Sequence, residues 1–255
     1  MRAASILMSL ALTVAPVFAE TAILLPLYTG TDKWPDVYKT IKSHSDISFH
    51  IIVNPNSGPG DDVYPDNDYF TGVEILNGYE NVKLIGYVRT GYGGRDISEV
   101  NQDVASYSTW ASKGTKNTTL DGIFFDEVPN ANEDDQISYM QEVAKFAKSK
   151  DLSSVVFNPG TVLEPGSEHG YYKEATMIVE FENSAYKWGD FSPKSLSQNY
   201  RSSQAVIAYG VTSDDEYRSI VHDAQAEGLG AVYLTPGDDY MSPGTVSNVA
   251  AAFNS

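Results

Sequence analysis

Apolar runs return along this chain at intervals of roughly 25 to 35 residues, each followed by a polar loop and then by a stretch with apolar residues at three- and four-residue spacing. That alternation narrows the fold more than any other feature, because it is the sequence form of repeated strand–helix units joined into a parallel sheet. Eight runs read as strands, at residues 22–28, 47–54, 82–89, 120–126, 154–158, 176–182, 204–209 and 230–235. Helical patterns fall at 97–113, 133–150 and 214–227, with weaker ones at 166–172 and 193–202. Asp134 and Asp135 open one of these helices and Lys148 and Lys150 close it, which suits the helix dipole at both ends. Eight strands with about eight helices predict a single-domain (β/α)8 barrel of the TIM type; a doubly wound open sheet is the alternative.

The first 19 residues stand outside that pattern. Arg2 precedes an apolar stretch at 6–14, and Val17 and Ala19 occupy the positions before a cleavage point, which predicts a signal peptide. The barrel is then expected in residues 20–255, as a soluble, secreted monomer, free or retained on a cell wall. No later apolar run approaches the ~20 residues of a membrane helix. Cysteine is absent, so stability must come from a conventional core and not from disulfides. Asn117-Thr118-Thr119 is a glycosylation sequon and predicts a surface loop. Beyond residue 19 the chain holds 16 Lys and Arg against 34 Asp and Glu, a formal charge of −18. Such a balance argues against a nucleic-acid partner. It either keeps the surface solvated or attracts a cationic substrate.

In a barrel of this type chemistry gathers at the carboxyl-terminal strand ends and the loops that follow. Those ends supply Tyr28, Asn54, Arg89, Asp126 with Glu127, Asn158, Glu182 and Tyr209, with Asp238 and Asp239 just past the last strand. Tyrosines, amides and acids around a mouth suit sugars, whose hydroxyls need donors and acceptors and whose C–H faces need aromatic surface. The run Asp121-Gly122-Ile123-Phe124-Phe125-Asp126-Glu127 delivers two adjacent carboxylates to the end of a buried strand. Met177-Ile178-Val179-Glu180-Phe181-Glu182 ends on another. Two acids at neighbouring strand ends are what glycosidic bond cleavage requires. Strand alternation lets only one of Asp126 and Glu127 face the mouth, and predicts that Glu180 and Glu182 share a face with Glu182 nearer the opening.

Asn54 and Asn158 each open an Asn-Pro turn and either shape it or present an amide to substrate. Tyr92 lies in a glycine-containing segment, 89–95, where it either stacks on a sugar or is an ordinary loop aromatic. That segment completes neither a dinucleotide fingerprint nor a phosphate loop, so no cofactor is expected. His44, His50, His169 and His222 are scattered, which predicts no metal site. A Gly-x-Ser-x-Gly elbow is also missing.

The segments Gly122-Ile123-Phe124-Phe125-Asp126-Glu127, Val53-Asn54-Pro55-Asn56-Ser57-Gly58-Pro59-Gly60, Ile85-Gly86-Tyr87-Val88-Arg89-Thr90, Phe157-Asn158-Pro159-Gly160-Thr161 and Val179-Glu180-Phe181-Glu182 occur in a specific order. Together they resemble the spherulin 4 family of secreted microbial proteins, classed with glycoside hydrolase family 135, over nearly the whole chain beyond residue 19. The resemblance implies a (β/α)8 glycosidase that cuts within galactosaminogalactan, an α-1,4-linked biofilm and cell-wall polymer of galactosamine and N-acetylgalactosamine. It places the family acids on Asp126, Glu127 and Glu182. Asp126 is expected as nucleophile, Glu182 as general acid/base and Glu127 as a positioning group; an exchange of roles stays open. Retention of anomeric configuration is expected on the resemblance alone. Tyr209 departs from the family, where a His is frequent at this place. Deacetylated galactosamine is cationic, which suits the acidic chain. A chitinase-type motif starts at Asp121-Gly122-Ile123 but meets Phe124 and Val128 where its remaining acids belong. The competing reading is a non-catalytic, polysaccharide-binding surface or spore-coat protein that uses the same mouth.

Overall fold

The computed structural model describes residues 21–60, 65–112 and 117–254; the leader predicted at 1–19 lies outside them. Eight parallel strands close into a barrel in chain order: β1 (Ala22–Leu27), β2 (Phe49–Val53), β3 (Val82–Arg89), β4 (Gly122–Asp126), β5 (Ser154–Phe157), β6 (Met177–Ser184), β7 (Gln204–Tyr209) and β8 (Ala231–Thr235). Pairing of Ala22 with Ala231 and Ile23 with Val232 closes the ring and excludes the open sheet. Between and after the strands run α1 (Pro35–Ser43), α2 (Asn67–Asn77), α3 (Ile97–Thr109), α4 (Asp134–Ser149), α5 (Glu168–Tyr172), α6 (Trp188–Phe191), α7 (Asp214–Ala226) and α8 (Val246–Phe253). The predicted (β/α)8 barrel is therefore the observed one. Among the described residues no helix is long and apolar enough to cross a membrane.

Strand bodies are buried on both faces, as a parallel sheet covered by helices requires. Which face points inward follows from contacts. Gly86 of β3 faces α3: a Cβ there would lie 2.8 Å from the Tyr107 ring, so only glycine lets that ring rest on the sheet. Tyr87 and Arg89, one and three residues on, hence face the barrel interior and its mouth. Their register partners Phe124 and Asp126 on β4 face the same way, and the Tyr87 and Phe124 rings stack with centroids 6.2 Å apart. Phe125 and Phe157 point outward, where Phe157 meets Tyr171 of α5.

With no cysteine in the chain, aromatic contacts do part of the work that disulfides do in other domains. Trp34–Tyr69, Tyr69–Trp110 and Tyr107–Trp110 meet edge-on at 5.1, 6.2 and 4.9 Å. Each such pair contributes about 0.5 to 1.5 kcal/mol beyond burial of its area. Side-chain caps start α2 through Asp66, α3 through Asp96, and α7 through a reciprocal Ser213–Glu216 capping box, whereas α4 begins without one.

The sixth crossover departs from expectation. The pattern at 193–202 is not an α-helix; two 3-10 turns, Pro193–Ser195 and Gln198–Ser203, occupy it, and the α-helical turn comes earlier as α6. Pro193 accounts for where α6 stops, since a proline disfavours helical geometry at the residue before it, and Ser192 adopts φ 45°. α3 likewise stops at Thr109 and tightens into a 3-10 turn, Trp110–Ser112. Asn117 is exposed, with its side-chain carbonyl taking the Thr119 N–H.

Candidate active site

β4 carries Asp126 to the mouth on the inward face, and the strand's alternation ends at the next residue. Glu127 adopts a left-handed φ of 52°, which for a non-glycine residue costs about 1 to 2 kcal/mol. Its carbonyl accepts hydrogen bonds from the Thr90 hydroxyl and the Tyr92 N–H, so the loop after β3 holds the turn in place.

Asn158 follows β5 and is buried. The turn it opens is clamped on both sides: the Val128 N–H donates to the Asn158 carbonyl and the Glu182 N–H to the Gly160 carbonyl. The Asn158 side-chain carbonyl accepts the Gly160 N–H at 2.9 Å, which leaves the amide NH2 pointing at two acids. It donates to Asp126 Oδ1 at 2.8 Å and to Glu182 Oε2 at 2.6 Å.

Glu182 reaches that position through an irregularity of β6. Val179 pairs with Ala205, but the next pair is Phe181 with Val206, so Glu180 is an extra residue in the ladder. This corrects the expectation that Glu180 and Glu182 share a face. Glu180 and Phe181 both turn toward the helices. Glu180 takes hydrogen bonds from the Tyr172 hydroxyl of α5 at 2.8 Å and the Leu163 N–H at 3.1 Å, while Phe181 packs on Trp188 and Phe191 of α6. The inserted residue turns Glu182 inward.

Each carboxylate has a phenol on its remaining oxygen. Tyr87 donates to Asp126 Oδ2 at 2.7 Å, and Tyr240, on the loop after β8, donates to Glu182 Oε1. Tyr28 at the end of β1 touches both phenols edge-on, with centroids 5.5 Å from Tyr87 and 5.8 Å from Tyr240. Burial, then the charge of Asp126, holds the Tyr28 and Tyr87 hydroxyls well above their ordinary pKa; for Tyr240 burial is followed by the charge of Glu182. All three stay protonated and can donate. Burial also raises the pKa of Glu182, and the Asp126 charge adds to the rise, while the bonds from Tyr240 and Asn158 oppose it.

Two bonds to one nitrogen put a ceiling of about 5.4 Å on the distance between the two bonded carboxylate oxygens. That ceiling lies below the about 6.5 to 9.5 Å of carboxyl pairs that leave room for an attacking water.

The residues singled out in the sequence divide into three groups. Asp126, Asn158, Glu182 and Tyr28 come together. Glu127 and Arg89 border them, close enough for both charges to act on the Tyr87 hydroxyl. Tyr209, half-buried and paired with Ser184 and Thr235, falls on the Glu182 face one layer farther out. The others are spent elsewhere or stand apart: the Asn54 side chain takes the Gly58 N–H of its own turn at 2.9 Å, Tyr92 and Asp238 are exposed, and Asp239 takes the Met241 N–H. Sequence reasoning missed Tyr87 and Tyr240. Tyr87 was available from alternation, two residues before Arg89 on the same face; Tyr240 lies in a loop without a pattern. Among the described residues no group of three or more His, Cys, Asp or Glu side chains is arranged to hold a metal ion.

Residues 22–252 match the spherulation-specific family 4, Spherulin4. Spherulin-4 of Physarum polycephalum is 31% identical over 225 residues, a match that covers 84% of this chain and 63% of that protein, so the chain spans less than two thirds of that relative's length. Among solved structures, Sph3 of Aspergillus clavatus, in complex with GalNAc, superimposes with a TM-score of 0.84 at 27% identity and covers 93% of this chain and 98% of its own. The spore cortex-lytic enzyme SleL of Bacillus megaterium QM B1551 shares the fold at a TM-score of 0.59 and 10% identity, over 94% of this chain and 75% of that one.

Proposed function

The chain belongs to spherulation-specific family 4, and from that premise we propose that it is a secreted, endo-acting glycoside hydrolase that cleaves an α-1,4-linked polymer of galactosamine and N-acetylgalactosamine. The observation that carries the reading is the pair Asp126 and Glu182, drawn together by one amide and each held by its own phenol.

Glu182 is the general acid/base in this reading. Its raised pKa keeps a proton available for the leaving glycosidic oxygen. An Asp126 oxygen attacks the anomeric carbon, the glycosidic C–O bond breaks, and the Glu182 proton goes to the departing hydroxyl. Glu182, now a carboxylate, takes a proton from water, whose oxygen attacks the same carbon and frees Asp126. Two displacements retain configuration, and the single amide nitrogen that bonds both acids keeps them near one another. Glu127 borders the pair and orients substrate. The GalNAc complex of Sph3 supports the choice of amino sugar. An acidic chain supports a partly deacetylated, cationic one. Export rests on the leader at residues 1–19.

The test is release of reducing ends from partly deacetylated galactosaminogalactan, with Asp126→Asn and Glu182→Gln alongside. Each substitution is expected to lower turnover by about 10³-fold or more in a folded protein, and NMR of the first product is expected to show the substrate's anomeric configuration. Variants that keep wild-type turnover would overturn the assignment. Polymer binding without any release would favour the non-catalytic, polysaccharide-binding alternative.

A further inference from the structure

Among the described residues five large apolar or aromatic side chains are exposed: Ile75, Tyr92, Val162, Tyr186 and Met241. Ile75 lies on α2. The other four sit on the loops after β3, β5, β6 and β8, at the barrel end that holds the acid pair. Single exposed hydrophobes are ordinary on any surface, but four of the five share the barrel end that carries the acid pair. Tyr92 and Tyr186 are the most exposed, at 66% and 87%.

Both rings stand on ordered backbone. Tyr92 has φ 54°, and its N–H is bonded to the Glu127 carbonyl. Its turn is closed by Gly94 N–H to the Gly91 carbonyl at 2.9 Å and Arg95 N–H to the Thr90 carbonyl at 3.1 Å. The Arg95 guanidinium ties the same turn to the Arg89 carbonyl and to Asp103. A strained backbone that delivers a tyrosine into water gains nothing from packing; such strain is a mark of functional positions. Tyr186 lies in the 3-10 turn Ala185–Lys187, whose N-cap is Ser184, the last residue of β6. The Lys187 ammonium lies 5.9 Å from the ring centroid.

Barrel order sets these positions on one arc of the mouth, from β3 to β6. Around the mouth come Tyr92 after β3, Asp126 on β4, Asn158 after β5, Glu182 on β6 and Tyr186 just beyond it, on consecutive neighbouring strands. Tyr92 is bonded to the residue next to one carboxylate, and Tyr186 follows the other by four residues.

We propose that Tyr92 and Tyr186 are outlying stacking platforms for a polysaccharide chain laid along this arc, one beyond each carboxylate. The ligand is a run of pyranose units whose C–H faces rest on the rings. The proposal rests on the glycosidase reading of the acid pair and extends it from one bond to the chain on both sides, which is what cutting within a polymer requires.

The experiment measures binding by calorimetry on Glu182→Gln protein, which does not consume the probe. The probes are partly deacetylated α-1,4-galactosaminogalactan and its trisaccharide, with Tyr92→Asn, Tyr186→Ala and the Phe variant at each position added singly. Asn tolerates the left-handed backbone at position 92. Each ring deletion is expected to weaken polymer binding roughly fivefold to tenfold and trisaccharide binding by clearly less, while Phe restores the polymer affinity. An equal loss at both lengths, no loss on the polymer, or no binding of the polymer overturns the proposal. Reducing-end release by wild-type protein separates this from the underlying reading. Loss of polymer affinity with the rings, but no release, keeps the platforms and removes the glycosidase. Release that is indifferent to both rings does the reverse.

Discussion

At the scale of single residues, the amide of Asn158 links two acids that would otherwise repel one another, and it does so only because its carbonyl is already committed to Gly160. Each acid also takes a phenol, Tyr87 on Asp126 and Tyr240 on Glu182. Donation to a carboxylate favours the charged form, so the Tyr240 bond works against the burial that raises the Glu182 pKa. Tyr240→Phe removes the donor and keeps the ring beside Tyr28. The pKa of Glu182 should therefore climb further, and a general acid stays protonated to higher pH. The alkaline limb of kcat/KM is expected to move up by about one pH unit, with kcat reduced several-fold as the carboxyl loses its orientation. A limb that stays in place or moves down would separate Tyr240 from the proton chemistry. Asp126, Asn158 and Glu182 were legible because residue type and strand-end position coincide. Tyr240 was not, because a loop residue reaches the site through tertiary structure alone.

At the scale of elements, β6 shows where reading by alternation stops. Apolar runs located all eight strands to within a few residues, since burial on both faces demands them. A single inserted residue leaves no such trace, because a bulge depends on what the neighbouring strand and helix accept. Here the hydroxyl of Tyr172, whose ring stacks on Tyr200 at 4.1 Å, and the Leu163 N–H donate to Glu180 on the helix side. Burial there raises the Glu180 pKa, with those two hydrogen bonds opposing it. The folded-state value lies above the unfolded one, so the group's contribution to stability is full below the unfolded pKa of about 4.3 and is lost as pH rises through the folded value. Glu180→Gln removes that dependence. Denaturant midpoints of the variant relative to wild type should shift in the variant's favour between pH 4 and pH 7, whatever the offset at pH 4 from the changed hydrogen bonding. A difference that is the same at both pH values would show that Glu180 does not titrate as a buried acid. Pro193, visible in the sequence but read as part of a helix, is the other case: α6 ends just before it and lies next to β6, where the Trp188 indole N–H donates to Asp223 at 3.0 Å.

At the scale of the whole molecule, 34 acidic residues against 17 basic ones set a formal charge of −17 around a mouth that itself holds acids. Such a field draws a cationic chain from beyond contact distance, and it is screened by salt because the Debye length falls to about 10 Å at 0.1 M. The carboxylate pair is different: it is partly buried and fixed by hydrogen bonds, so salt reaches it much less. Binding and chemistry should separate accordingly. Between about 0.02 and 0.3 M salt, KM for partly deacetylated polymer is expected to rise on the order of tenfold while kcat changes little. Fully acetylated polymer carries no charge and should show a nearly flat KM over the same range. Steady-state kinetics on both polymers decides it. An equal salt response would mean that the acidic surface only solvates the protein, whereas a response confined to the charged polymer ties the net charge to substrate capture by the barrel mouth.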